Sequence, residues 1–169
     1  PVSYERFQGN EYSADLISDQ ALEFIKGNRD KPFFLYWPST VPHVALQVPD
    51  DSLQEYLGDW EDPPYKGGKG YIPHFKPLAA YAAMITRMDR DIGRAMDLVA
   101  ELGLDEDTIF IFTSDNGAGF AGYSNNFPLR KGKHTMFEGG VRVPFTIKWP
   151  GKIPSGVTYD NPVSTLDLF

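Results

Sequence analysis

Four polar side chains sit where apolar runs of the chain end or where glycines open a loop. Asp115 and Asn116 follow Thr108 to Thr113, His43 follows Phe33 to Trp37 and Pro42, and Lys133 lies in Arg130-Lys131-Gly132-Lys133. A carboxylate beside a neutral amide oxygen suits a hard divalent cation, because calcium takes about six to eight oxygen ligands and magnesium about six. Two donors cannot complete such a shell, and Asp-Asn-Gly is equally a plain turn. Lys133 offers a compact positive charge for an oxyanion, with Gly132 allowing close backbone approach; a lone basic loop otherwise faces solvent. His43 is suited to donate to an anion or to protonate a leaving group near neutral pH, although a histidine after a proline is often only structural.

What would join these residues is the placement of the segments before them. Ile109 to Phe112 is continuously apolar and rich in β-branched and aromatic residues, which predicts a strand buried on both faces of a parallel sheet. Phe33 to Trp37, bounded by Pro32 and Pro38, predicts a second buried strand. In open α/β sheets ligands collect beyond the carboxyl ends of strands. Strands of one parallel sheet would therefore carry His43, Asp115, Asn116 and Lys133 to one rim.

Helices alternate with these strands, as in a doubly wound α/β layer. Leu16, Ile17, Ala21, Phe24 and Ile25 recur at helical spacing over residues 13 to 26, with Ser13 as N-cap and Gly27 as the stop. Leu78 to Leu102 is the longest periodic element, with an apolar stripe through Leu78, Tyr81, Ala82, Ile85, Met88, Ile92, Ala95, Val99 and Leu102. Arg87, Asp89, Arg90, Asp91 and Arg94 read as a solvated, salt-bridged face. Arg142 to Trp149 alternates as a strand with one buried face, Pro144 marking an edge or bulge. Between them, Gly58 to Pro77 is a long loop without sustained period, dense in Gly, Pro and aromatics. Loops of this kind are commonly functional. Trp60, Tyr65, Tyr71, His74 and Phe75 could stack on a sugar or aryl group, or simply pack the loop against itself.

Composition narrows the classes. The 169 residues, 41% hydrophobic, suffice for a sizeable core, and the net charge of -7 lacks the basic footprint of a nucleic-acid binder. There is no cysteine, so disulfides, thiolate metal sites and a cysteine nucleophile are excluded within these residues. No apolar run approaches the roughly 18 residues of a membrane span. The chain opens on Pro1 without a methionine, and its last stretch, Pro162 to Phe169, stops at Asp167-Leu168-Phe169 with no polar tail, which leads us to expect a piece of a longer protein. Two motifs are set aside: Gly67-Gly68-Lys69-Gly70 lacks the spacing and the Ser/Thr of a P-loop, and Asp50-Asp51 reads as an exposed turn. Asp105-Glu106-Asp107 lacks the register of a calcium loop and reads as a turn.

Taken together, TIFIFTSDNG and PLRKGKHTMFEGGVRVPFTIKWPG closely resemble the C-terminal part of the catalytic domain of type I sulfatases, in the alkaline-phosphatase-like superfamily. PFFLYWPSTVPH resembles that family's strand and histidine segment, and YAAMITRMDRDIGRAMDLVAELGLDEDT its long helix before the metal strand. The resemblance runs over residues 12 to 169 and is weakest in the middle loop. It implies an α/β/α sandwich with a mainly parallel sheet, present here as a partial domain, and sulfate-ester hydrolysis in the complete protein. The alternatives are a phosphodiester or phosphonate hydrolase of the same superfamily and a non-catalytic, metal-stabilised binding module.

By that resemblance, Asp115 and Asn116 match a pair that binds calcium, or magnesium in some relatives. Lys133 matches a lysine contacting the sulfate and the catalytic residue, and His43 a sulfate-binding histidine near the leaving group. Lys131 stands where glycine is frequent and takes no role. Glu138, Gly139, Gly140 and Arg142 match the motif as residues that shape the loop. The implied partner is a sulfated small molecule or carbohydrate, the implied compartment periplasmic or extracellular, and no oligomeric state is implied. The departure is large: family members attack sulfur with a formylglycine made from Cys/Ser-x-Pro-x-Arg and supply further metal carboxylates from an early Asp-Asp pair. The nucleophile motif is absent from these residues and Asp50-Asp51, read as an exposed turn, does not stand for the early pair, so this chain alone is expected to be inactive.

Overall fold

In the computed structural model, residues 9–68, 71–119 and 122–168 are described. Lys69 and Gly70 of the set-aside glycine motif, and the terminal Pro1 and Phe169, lie outside them. Helix α1 spans Ser13–Asn28, α2 Asp50–Gln54, α3 Pro77–Glu101 and α4 Glu138–Val141, with strands β1 Phe110–Thr113 and β2 Phe145–Lys148.

The long helices are where hydrophobic periodicity placed them, with different ends. Ser13 is the first helical residue and not the cap; Tyr12 holds the cap position without a side-chain hydrogen bond. Gly27 lies inside the helix, which continues to Asn28. Pro77 begins α3, where its missing N–H removes no bond. Two of its free N–H groups, those of Leu78 and Ala79, donate to the carboxylate oxygens of buried Asp62 at 3.0 Å each. A residue of the middle loop thus caps the longest helix, as orphan N–H groups at a helix start require.

The core has two parts. Leu22 and Ile25 of α1 bury against Ala95 and Val99 of α3, with Phe33, Leu35, Trp37 and Phe110 packed onto them. Leu46 and Leu53 close on Ala79, Ala80 and Met84 at the other end of α3. The buried stripe therefore follows the alanines, which admit close approach, and not the larger residues expected; Ile85 is exposed. The charged cluster is also less solvated than expected. Asp91 is buried and accepts from the Ser18 hydroxyl at 2.7 Å. Arg87 makes two bonds of 2.7 Å to Asp15 and reaches Asp51 at 3.2 Å, and Arg90 holds Glu55 through two bonds of 2.6 and 2.7 Å. These charges bind α1 and α2 to α3. Asp51 belongs to the first turn of α2 and not to a free turn.

Over the helices lies an extended layer. β1 and β2 pair antiparallel, Phe110 opposite Lys148 and Thr113 opposite Phe145. The Trp149 indole N–H donates to the Glu106 carbonyl at 2.8 Å and fixes their far end. Both strands are more exposed than their patterns predict: Ile109, Ile111 and Phe112 are each more than two-fifths exposed, and β2 lacks a well-buried face. Phe33 to Trp37 runs extended with residues 33, 35 and 37 turned toward the helices, yet it is not a strand. A strand needs a ladder partner, and among the described residues this segment has none. The described sheet is therefore two strands, without the parallel neighbours expected.

Candidate functional site

After Thr113 the chain leaves β1 and forms a loop over residues 114–119 that locks onto the segment 130–140. Gly117 N–H donates to the Gly140 carbonyl at 3.0 Å and Lys133 N–H to the Ala118 carbonyl at 3.1 Å, while within the second segment Gly139 N–H donates to the Arg130 carbonyl at 2.9 Å. The approach is too close for side chains. A Cβ at Gly117 would lie 1.8 Å from the Gly139 oxygen, and one at Gly119 would lie 2.7 Å from Lys133 Cβ. The stem of Lys133 therefore rests against the stretch that follows Asp115 and Asn116.

One side chain completes this platform. Asn126 accepts from the Ala118 N–H at 2.9 Å and donates to the Ala118 and Lys131 carbonyls at 2.8 and 3.1 Å. Its amide imitates a strand neighbour, satisfying backbone groups of both loops. Nothing in its local sequence singles it out, because the groups it serves are eight residues before it and five after it. Lys131, given no role by its side chain, has φ of 64°, the left-handed region that favours glycine. Its carbonyl is what Asn126 uses. Arg130 sits over the Phe137 ring at 4.1 Å.

The structure thus brings Asp115, Asn116 and Lys133 onto interlocked loops. Asp115 is exposed, and among the described residues its carboxylate has no hydrogen bond or ion pair. The Asn116 amide nitrogen donates to the Gly117 carbonyl at 3.3 Å, so the amide oxygen is its remaining donor atom. Two hard oxygen donors fit part of a calcium or magnesium shell. They fit no more than part, since no group of three His, Asp or Glu among the described residues is placed to hold a metal.

His43 is reached from another direction. It is exposed, its Nδ1 lies against the Val44 carbonyl, and its ring stands 6.0 Å from that of Tyr71. Tyr71 comes from the middle loop, which is more ordered than expected. Tyr65 and His74 exchange backbone hydrogen bonds of 2.9 Å, and Gly68 and Tyr71 exchange two of 3.2 and 2.9 Å, making a short hairpin. His74 anchors it: the ring is buried, accepts from the Lys76 N–H at 3.1 Å, and is held below the usual histidine pKa by that burial.

Compared with known proteins, residues 2–169 match the family model described as Sulfatase. The chain belongs to the sulfatase family. A sulfatase of Formosa agariphila is 36% identical to this sulfatase chain over 166 residues, covering 92% of it and 28% of that protein. The N-acetylgalactosamine-6-sulfatase of Canis lupus familiaris is 33% identical over 156 residues, covering 89% and 26%. A solved structure of Ps i-CgsB in complex with k-i-k-neocarrahexaose superposes with a TM-score of 0.78 at 32% identity, covering 95% of this chain and 33% of that one. The fold is accordingly the alkaline-phosphatase-like α/β/α fold of the sulfatases, present as a partial domain. The sulfatase chain spans between a quarter and a third of the length of these relatives. No helix among its described residues is long and apolar enough to cross a membrane.

Proposed function

We propose that this chain is the C-terminal portion of a sulfatase catalytic domain and that the complete protein hydrolyses a sulfate ester. The observation that carries this reading is the locking of the Asp115-Asn116 loop to the Lys133 loop in a chain matched by the sulfatase family almost from end to end. The names of the relatives, an N-acetylgalactosamine-6-sulfatase and a neocarrahexaose complex, favour a sulfated carbohydrate over another sulfated small molecule.

Asp115 and Asn116 would contribute two oxygen ligands to calcium, with magnesium the alternative. Once bound, such an ion supplies positive charge against the sulfate oxygens. Lys133 adds an ammonium whose position is set by its stem on Gly119, so it requires little reorganisation as charge develops on the ester. His43, with Nδ1 directed at the Val44 carbonyl, keeps Nε2 to carry a proton to the departing ester oxygen. The nucleophile is not among these residues; a formylglycine derived from Cys/Ser-x-Pro-x-Arg in the preceding part would supply it. Substituting Asp115→Ala in the full-length protein should nearly abolish aryl-sulfate turnover, and retained turnover would sink the assignment. Faster cleavage of phosphodiesters or phosphonates than of sulfate esters would favour the superfamily rival.

A further inference from the structure

We infer that the cleft between Trp60, Tyr81 and Tyr123 is a subsite for an uncharged pyranose ring, the neighbour of the sulfated residue in an oligosaccharide substrate. This rests on the sulfate-ester reading of the adjoining platform. The cleft encloses about 180 Å3 and is completed by Leu78 and Ala82. Pockets that hold a whole ligand run to about 300 to 1,000 Å3, so this one has room for a ring of the substrate and not for all of it. Among the described residues no charged side chain lines it, so it offers a second sulfate no counter-charge and suits a neutral ring. A pyranose presents an apolar C–H face edged by hydroxyls. An indole with two tyrosines complements it, since such side chains pair a flat apolar body with a polar tip.

Three features make this a built site. Trp60 remains 46% exposed, yet its ring is braced on Tyr56, centroids 5.9 Å apart and planes within 10°; the Tyr56 hydroxyl is in turn bonded to Thr86 on α3. Two residues on, buried Asp62 caps α3 and fixes this part of the loop on the cleft floor. Tyr123, which also lines the cleft, belongs to the stretch between Asn116 and Asn126. Its ring meets Tyr65 at 6.2 Å, and Tyr65 opens the hairpin that carries Tyr71 to His43. The hairpin therefore connects the cleft to the residue placed at the leaving group, where the rest of a glycan has to go.

The test uses full-length protein, 4-methylumbelliferyl sulfate, and tetrasaccharides bearing one terminal galactose, galactosamine or glucosamine 6-sulfate. Trp60→Ala should lower the ratio of kcat/KM for the best tetrasaccharide to that for the aryl sulfate about tenfold, mainly through KM, and Trp60→Phe should restore most of it. An unchanged ratio overturns the subsite. Binding gives a second readout without turnover: in Asp115→Ala protein the same tetrasaccharide should quench tryptophan fluorescence, and Trp60→Phe should remove that quenching. Absence of both turnover and quenching with every tetrasaccharide also overturns it. Full turnover in Asp115→Ala protein would fell the sulfatase site instead, leaving the quenching result to decide the subsite.

Discussion

Between α1 and α3 water is excluded by side chains: Leu22, Ile25, Ala95 and Val99 are all buried, and Arg87 and Arg94 bridge the helices around them. From Thr113 to Arg142, by contrast, the buried residues among those described are Gly117, Gly139 and Gly140, none with a side chain. The helical layer gains stability from apolar area removed from water. The platform is positioned by backbone hydrogen bonds and by the amide of Asn126. A platform built this way depends on very few atoms for its geometry.

If this contrast is right, substitutions in the two regions should fail differently. The largest effect belongs to Asp115→Ala in the full-length protein: kcat should fall by at least about a hundredfold, with circular dichroism and thermal midpoint unchanged. Gly117→Ala comes next, because its Cβ would collide with the Gly139 oxygen. Activity should be lost while α1 and α3 keep their hydrogen-exchange protection, and loss of protection in the helices would refute the division. Ile25→Ala, at a site only 2% exposed between α1 and α3, should do the reverse. It should cost about 2 to 5 kcal/mol of stability in urea titration, with kcat intact in the folded fraction.

Asn126→Ala should produce a smaller and more local change. It strands the Ala118 N–H and the Lys131 carbonyl, at a cost of about 1 to 3 kcal/mol, and should speed exchange of the Lys133 amide more than that of any amide in α3. The mildest is a pH effect on the hairpin. Since burial lowers the His74 pKa in the folded state, the unfolded segment takes up a proton first as pH falls. Stability of the hairpin should hold above about pH 6.5 and decline below it until the folded ring itself titrates. His74→Gln should flatten that dependence, as read by proteolysis at Lys66.

Much of the layout was legible because helical periodicity is local. The α1 and α3 segments follow from their apolar spacing, and the break after β1, before Asp115-Asn116-Gly117, follows from turn chemistry. The strand assigned to Phe33–Trp37 and the two-sided burial of β1 were not, because strand identity depends on neighbours that a linear pattern does not name. Ile85 was misplaced in the stripe for a related reason: small alanines win the buried face wherever α2 presses close. The role of Asp62 was hidden too, since the N–H groups it caps are 16 and 17 residues away.

By itself, the sequence determined which residues could do chemistry, that Asp115, Asn116 and Lys133 belong to loops, and that no cysteine nucleophile lies within this stretch; residue type and local spacing are sufficient for that. Only the tertiary structure decided that the two loops are one platform, that Asn126 and the backbone of Lys131 hold it, and that Tyr123 and Trp60 line one cleft. Those relations arise from contacts between distant segments at van der Waals range, and no periodicity encodes them.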